Sequence, residues 1–125
     1  MLSTDKIKDL LSHGENKQVE FKRCTDKVSA SVYETVCSFL NAEGGYIFLG
    51  VDDDGTILGI NPKCVTDMTK SIINTLNNPE QFLPPMPITP EQAEIDDKII
   101  LYLNVPESEQ VHRYKNRFFD RWGDA

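Results

Sequence analysis

Apolar residues recur along this chain at two periods, and the changes of period mark out its elements. Ile7, Leu10 and Leu11 share one side of a helix that Ser3 or Thr4 can cap and Gly14 ends. Val19 to Arg23 then reads as a strand. Val32, Val36, Phe39 and Leu40 give a second helix its apolar stripe, and Ser31 with Glu34 has the form of a capping box at its start. Asn41 to Gly45 stops that helix, because paired glycines cost least where the backbone leaves helical geometry. Tyr46 to Val51 runs apolar without strict alternation, as a strand covered on both faces does. Asp54-Gly55 predicts a hairpin on a tight primed turn. Asn61-Pro62 opens a third helix carrying Val65, Met68, Ile72 and Leu76 at helical spacing, and Asn77-Asn78-Pro79 closes it. The four prolines between Phe82 and Pro90 predict a loop or an edge crossing. Ile95, the Asp96-Asp97 turn and Lys98 to Val105 predict another hairpin, and Arg117 to Trp122 a last short strand. Helices alternating with hairpins predict a single α+β domain, a two-layer sandwich on a mixed sheet.

Three short pieces carry a family resemblance. They are Glu15 with Glu20-Phe21-Lys22, then Asn41 with Gly44-Gly45 and Gly50-Val51-Asp52-Asp53, then Arg121 with Gly123. In that order and spacing the chain resembles the AlbA-like domain of the Schlafen group, which is also found at the front of bacterial transcriptional regulators and RecG-helicase-related proteins. The resemblance runs over nearly all of residues 1–125. It implies a fragment of a longer regulator, ending near the family's closing strand, with nucleic acid, and DNA first, as partner. A homodimer is also implied, since two such domains can sit side by side around nucleic acid.

Members of the group do not share one activity, so fold and function are separate questions. In the nuclease branch the resemblance puts the catalytic acids at Glu15, Glu20 and Asp53, where they would hold magnesium or manganese, with Lys22 meeting the substrate phosphate. An unbroken strand would point Glu15 and Glu20 to opposite faces, so convergence requires Glu15 in the loop after Gly14 or across a bulge. The same acids have structural roles open to them: aspartates before glycine suit a tight turn, and Glu20 can pair with Lys22 two residues on. Three readings follow: a DNA-binding domain without a cofactor, a metal-dependent ribonuclease, and a dimerisation module.

Composition narrows the field. With 125 residues and 39% hydrophobic content the chain can bury one ordinary core. No apolar run is long enough to span a bilayer and no secretory signal opens the chain, so a cytoplasmic protein without membrane attachment is expected. Cys24, Cys37 and Cys64 are odd in number and lack a CxxC pair, which suits reduced thiols and, with only His13 and His112 beside them, argues against zinc. Gly45 and Gly50 have the spacing of phosphate-loop glycines, but Val51-Asp52 stand where lysine and serine or threonine are needed.

A net charge of −7 argues at first against nucleic acid. The distribution is uneven, however: residues 51 to 111 hold eleven acids against three bases, a local −8 that leaves the remainder at +1. The other cations gather as Lys17, Lys22, Arg23 and Lys27, and as Arg113, Lys115, Arg117 and Arg121. Lys22, Arg23, Lys27, Arg113, Lys115, Arg117 and Arg121 are therefore the candidate phosphate contacts, provided the fold joins the two groups on one face; the alternative is ordinary solvated charge.

Overall fold

The computed structural model describes residues 1–121. Its elements follow in the order α1 (Thr4–His13), β1 (Val19–Lys22), α2 (Ala30–Leu40), β2 (Gly45–Leu49), a 3-10 turn (Pro62–Cys64), α3 (Val65–Asn77), β3 (Phe82–Leu83), β4 (Glu91–Ile95), β5 (Lys98–Val105) and β6 (Arg113–Tyr114). The main sheet has the order β1-β2-β5-β4, with β1 and β2 parallel and the other pairs antiparallel. This is the single α+β domain with a mixed sheet that the patterning predicts.

Strand alternation decides what each face of that sheet meets. Ile47, Leu49, Leu101 and Leu103 join the core formed by α2 and α3, with Val36, Phe39, Leu40, Met68, Ile72 and Leu76. Phe21, Phe48, Ile100 and Tyr102 point the other way, where Ile7 and Leu11 of α1 close a smaller core. Ser3 caps α1 through its side chain, and Gly14 terminates it at φ 81°. Complete burial of the α3 side chains Ile72 and Leu76 contributes about 1.5–3 kcal/mol each.

The glycine pair does more than end α2. A Cβ on Gly44 would strike the carbonyl oxygen of Val105, and one on Gly45 the carbonyl oxygen of Gln18. Close approach of the β1 and β5 backbones to the start of β2 therefore requires both glycines.

Several local expectations change. Ser29, not Ser31, is the N-cap of α2, and no side-chain capping bond forms; its hydroxyl meets that of Ser31 at 3.0 Å instead. Leu83 is followed by a cis proline and the proline-rich segment supplies only the two residues of β3, which pair with β6 as a separate small sheet. The edges of the main sheet are β1 and β4. No strand spans 117 to 121: Arg117 makes a single bridge to Tyr114 across the Lys115-Asn116 turn, and Trp122 lies outside the described residues. The Asp54-Gly55 loop is not a primed turn, because Gly55 adopts φ 89° while Asp53 and Asp54 keep negative φ. The primed geometry, positive φ at both central residues, occurs at Asp96-Asp97 (52° and 66°) and at Lys115-Asn116 (50° and 63°).

Candidate functional site

The edge strand β1 organises the charged residues. Glu20 and Lys22 stand opposite Ile47 and Leu49 of β2, hence on the sheet face that α2 covers, while Phe21 points into the α1 core. Glu15 lies in the loop after α1, and its Oε2 accepts the Phe21 N–H at 3.0 Å. That loop position lets Glu15 reach Glu20, as strand parity requires. The Glu20 carboxyl is pushed up from 4.5 to about 7, by burial first and then by its hydrogen bond to Glu15, with Lys22 and Arg121 pulling it partly back.

Lys22 Nζ lies 3.9 Å from Glu20 Oε2. Arg121 approaches from the far end of the chain: its Nη1 donates to Glu20 Oε1 at 3.2 Å, while Nε and Nη2 donate to the carbonyls of Lys17 and Asn16. Its guanidinium sits 4.6 Å from the centroid of the buried Phe39 ring. With side chains only 14% and 16% exposed, Arg121 and Lys22 are committed inside the fold beside Glu20, unlike the other cations singled out from the sequence. Glu15 thus satisfies one backbone group of the edge strand β1, while Arg121 ties down the loop that leads into it.

Asp53 reaches the same neighbourhood by a different route. The amides of Gly50 and Val51 both donate to the Lys22 carbonyl, which brings the Asp52–Gly55 turn to the end of β1. There Arg23 Nε holds Asp52 at 2.7 Å and its Nη2 lies 3.5 Å from Asp53. Glu20 and Asp53 line one open groove of about 640 Å³ with Lys22, Arg23, Lys27 and the start of α2 at Ser29 and Ser31. Glu15 and Glu20 thus come together, while Asp53 lines the same groove as Glu20 and is paired with Arg23. Among the described residues no three of His, Cys, Asp and Glu form a group that could hold a metal ion, so this arrangement does not fit a divalent-cation cage. The three cysteines are free, and burial pushes the Cys37 thiol up to about 11, which leaves it un-ionised and inert at neutral pH.

Arg113, Lys115 and Arg117 occupy a second region, the β6 hairpin, and all three are exposed. Tyr114 of that hairpin packs against Tyr33, one turn into α2, with ring centroids 5.6 Å apart. Asn41, at the other end of α2, fixes the same segment: its Nδ2 donates to the carbonyls of His112 and Phe119, both at 2.9 Å, and its Oδ1 accepts the His112 N–H at 2.8 Å. Periodicity identified Asn41 only as a helix stop; its place among the residues that carry the family resemblance was the further signal that it does more. Both basic groups therefore border α2, the first at its opening turn and the second along its length. No described helix is long and apolar enough to cross a membrane.

Fold and site together define a small α+β module that gathers charge around an edge strand and the first turn of one helix. The chain belongs to the Schlafen, AlbA_2 family, whose model matches residues 15–125. A similar solved structure is the N-terminal domain of a protein from Nitrosomonas europaea described as related to the ATP-dependent DNA helicase RecG. It is 25% identical, with a TM-score of 0.65 over 87% of this chain and 76% of that one. The DIP2311 protein from Corynebacterium diphtheriae shares the fold at 11% identity and a TM-score of 0.59, over 89% of this chain and 26% of that one.

Proposed function

We propose that this is a nucleic-acid-binding domain, with DNA as the first partner and a bacterial transcriptional regulator as its setting. The observation that carries the reading is the β6 hairpin. Arg113, Lys115 and Arg117 are exposed and form no ion pair with a described residue. No acid occurs between Glu109 and Asp120, in a chain whose net charge is −7. Clustered cations without a neighbouring acid repel one another, and a polyanion that binds across them relieves that repulsion. Lys27, exposed in the groove beside α2, adds a further cation, and the uncapped first turn of that helix adds backbone donors suited to phosphate. Family membership and the likeness to a domain of a DNA-helicase-related protein support the same partner.

The test is the salt dependence of binding to short oligonucleotides. Three phosphate contacts give a log–log slope of about −2 to −3. The Arg113→Glu, Arg117→Glu double variant should lower the affinity for every sequence alike and flatten that slope by about 2. Unchanged affinity at low salt would remove the hairpin from the interface. The ribonuclease reading has one observation in its favour, the convergence of Glu15 with a Glu20 carboxyl that titrates near neutrality. Against it stand the commitment of Asp53 to Arg23 and the two cations already neutralising Glu20, so binding is the better supported function.

A further inference from the structure

From Val111 to Tyr114 exposed and buried residues alternate, so His112 and Tyr114 face the core while Val111 and Arg113 face outward. The register of the small sheet extends this pattern, with Phe82 opposite Tyr114 on the inside and Leu83 opposite Arg113 on the outside. Phe118 completes the outer face: the Arg113 guanidinium carbon lies 4.5 Å from its ring centroid. Val111 is 64%, Phe118 57% and Leu83 50% exposed, three of the five large apolar side chains that are exposed among the described residues.

Apolar area of this kind left in water usually marks a contact surface. Its border identifies the contact. Lys115 and Arg117 stand beside it on the same hairpin, both exposed, with no acid between Glu109 and Asp120. A partner must therefore offer a flat apolar face and negative charge within a few ångströms of each other. A nucleotide does so in a single unit, the base stacking on an aromatic or guanidinium plane while its phosphate meets the neighbouring cation. Bases within a duplex have their faces covered by neighbours, so this chemistry selects unpaired ones.

We propose that the outer face of β3 and β6, centred on Phe118 and Arg113, is a stacking platform for unpaired bases, with the phosphates of that strand running over Lys115 and Arg117. The platform rests on the nucleic-acid reading above and adds to it a preference for single-stranded or frayed segments.

Fluorescence anisotropy separates the two claims. Wild type, Phe118→Ala and Phe118→Tyr are titrated at low salt with a labelled single-stranded oligonucleotide and with a blunt duplex of the same sequence. A 2-aminopurine placed in the single strand reports stacking. Phe118→Ala should weaken single-strand binding about tenfold and abolish the 2-aminopurine quenching, while duplex affinity stays within about twofold and Phe118→Tyr restores both. Phe118 is exposed, so the alanine variant should fold, which circular dichroism checks. If wild type binds oligonucleotides but Phe118→Ala binds the single strand equally well, the platform is refuted and the binding function stands. Should wild type bind neither oligonucleotide, both claims fail. If Phe118→Ala alters only the concentration dependence of sedimentation, the face joins two copies of the chain, and the platform is again refuted.

Discussion

Glu20→Gln is expected to stabilise the domain at alkaline pH, although it removes a charge that sits beside two cations. The Glu20 carboxyl titrates at about 7 in the fold against 4.5 when free, chiefly because burial and the bond to Glu15 favour its protonated form. Folding thus binds a proton, and the stabilisation is complete below pH 4.5 and lost as pH rises through about 7. At face value the displacement corresponds to roughly 3 kcal/mol. Water reaches part of the group and screens it, so about half of that, roughly 1–2 kcal/mol, should be measurable. Glutamine keeps the shape and the donor to Glu15 without titrating. Urea unfolding followed by circular dichroism at pH 5 and pH 8 should give variant and wild type similar stabilities at the lower pH. At the higher pH the variant should lead by about 1–2 kcal/mol, a difference of about 4–8 °C in melting temperature for a domain of this size. Distant groups common to both proteins cancel in the difference, so it reports the Glu15–Glu20 pair. A wild type that loses no more stability than Glu20→Gln between the two pH values would refute the account of the carboxyl pair.

Other outcomes test neighbouring parts of the argument. Gly45→Ala should cost at least about 3 kcal/mol or prevent folding, because the new methyl meets the Gln18 carbonyl; thermal melting checks this. Asn41→Ala removes three hydrogen bonds to the closing segment and should cost about 2–4 kcal/mol, with trypsin then cutting at Arg113, Lys115 and Arg117 well before the domain unfolds. Manganese at millimolar levels should leave the melting temperature unchanged and RNA intact; a rise that Glu20→Gln removes would restore the carboxylates as metal ligands.

The helices were legible because burial leaves a period in the sequence. Val65, Met68, Ile72 and Leu76, read as one stripe, are the buried residues of α3. Strand parity likewise required Glu15 to sit off β1, and it does. Turn types were less legible. Asp54-Gly55 carries the strongest local signal for a primed turn, yet only its glycine takes positive φ, whereas Lys115-Asn116, with a weaker signal, adopts one. Pairing geometry on either side overrides the local preference. The course of the chain from His112 to Arg121 was not legible either. It is set by Asn41 and Glu20, partners 71 to 101 residues away, and no periodic pattern encodes bonds of that range. The charge clusters could be named from the sequence, but not the difference between Arg121, enclosed and paired, and Arg117, exposed and without an ion pair to any described residue.

The attachment of Arg121 to Glu20 and to the carbonyls of Asn16 and Lys17 also has a kinetic consequence. Closing a loop of about 100 residues directly would cost roughly 4 kcal/mol in chain entropy. Pairing of β1 with β2, and of β2 with β5, already brings most of that span together, so the segment from His112 to Arg121 can dock onto a nearly finished sheet at little further cost. During synthesis that segment emerges after every strand of the main sheet. Until it docks, the Asn16 and Lys17 carbonyls lack their arginine and Glu20 lacks one of its two cations. The nascent domain therefore passes through an interval in which its main sheet is formed but the loop leading into β1 is not yet tied down, and docking of Arg121 ends it.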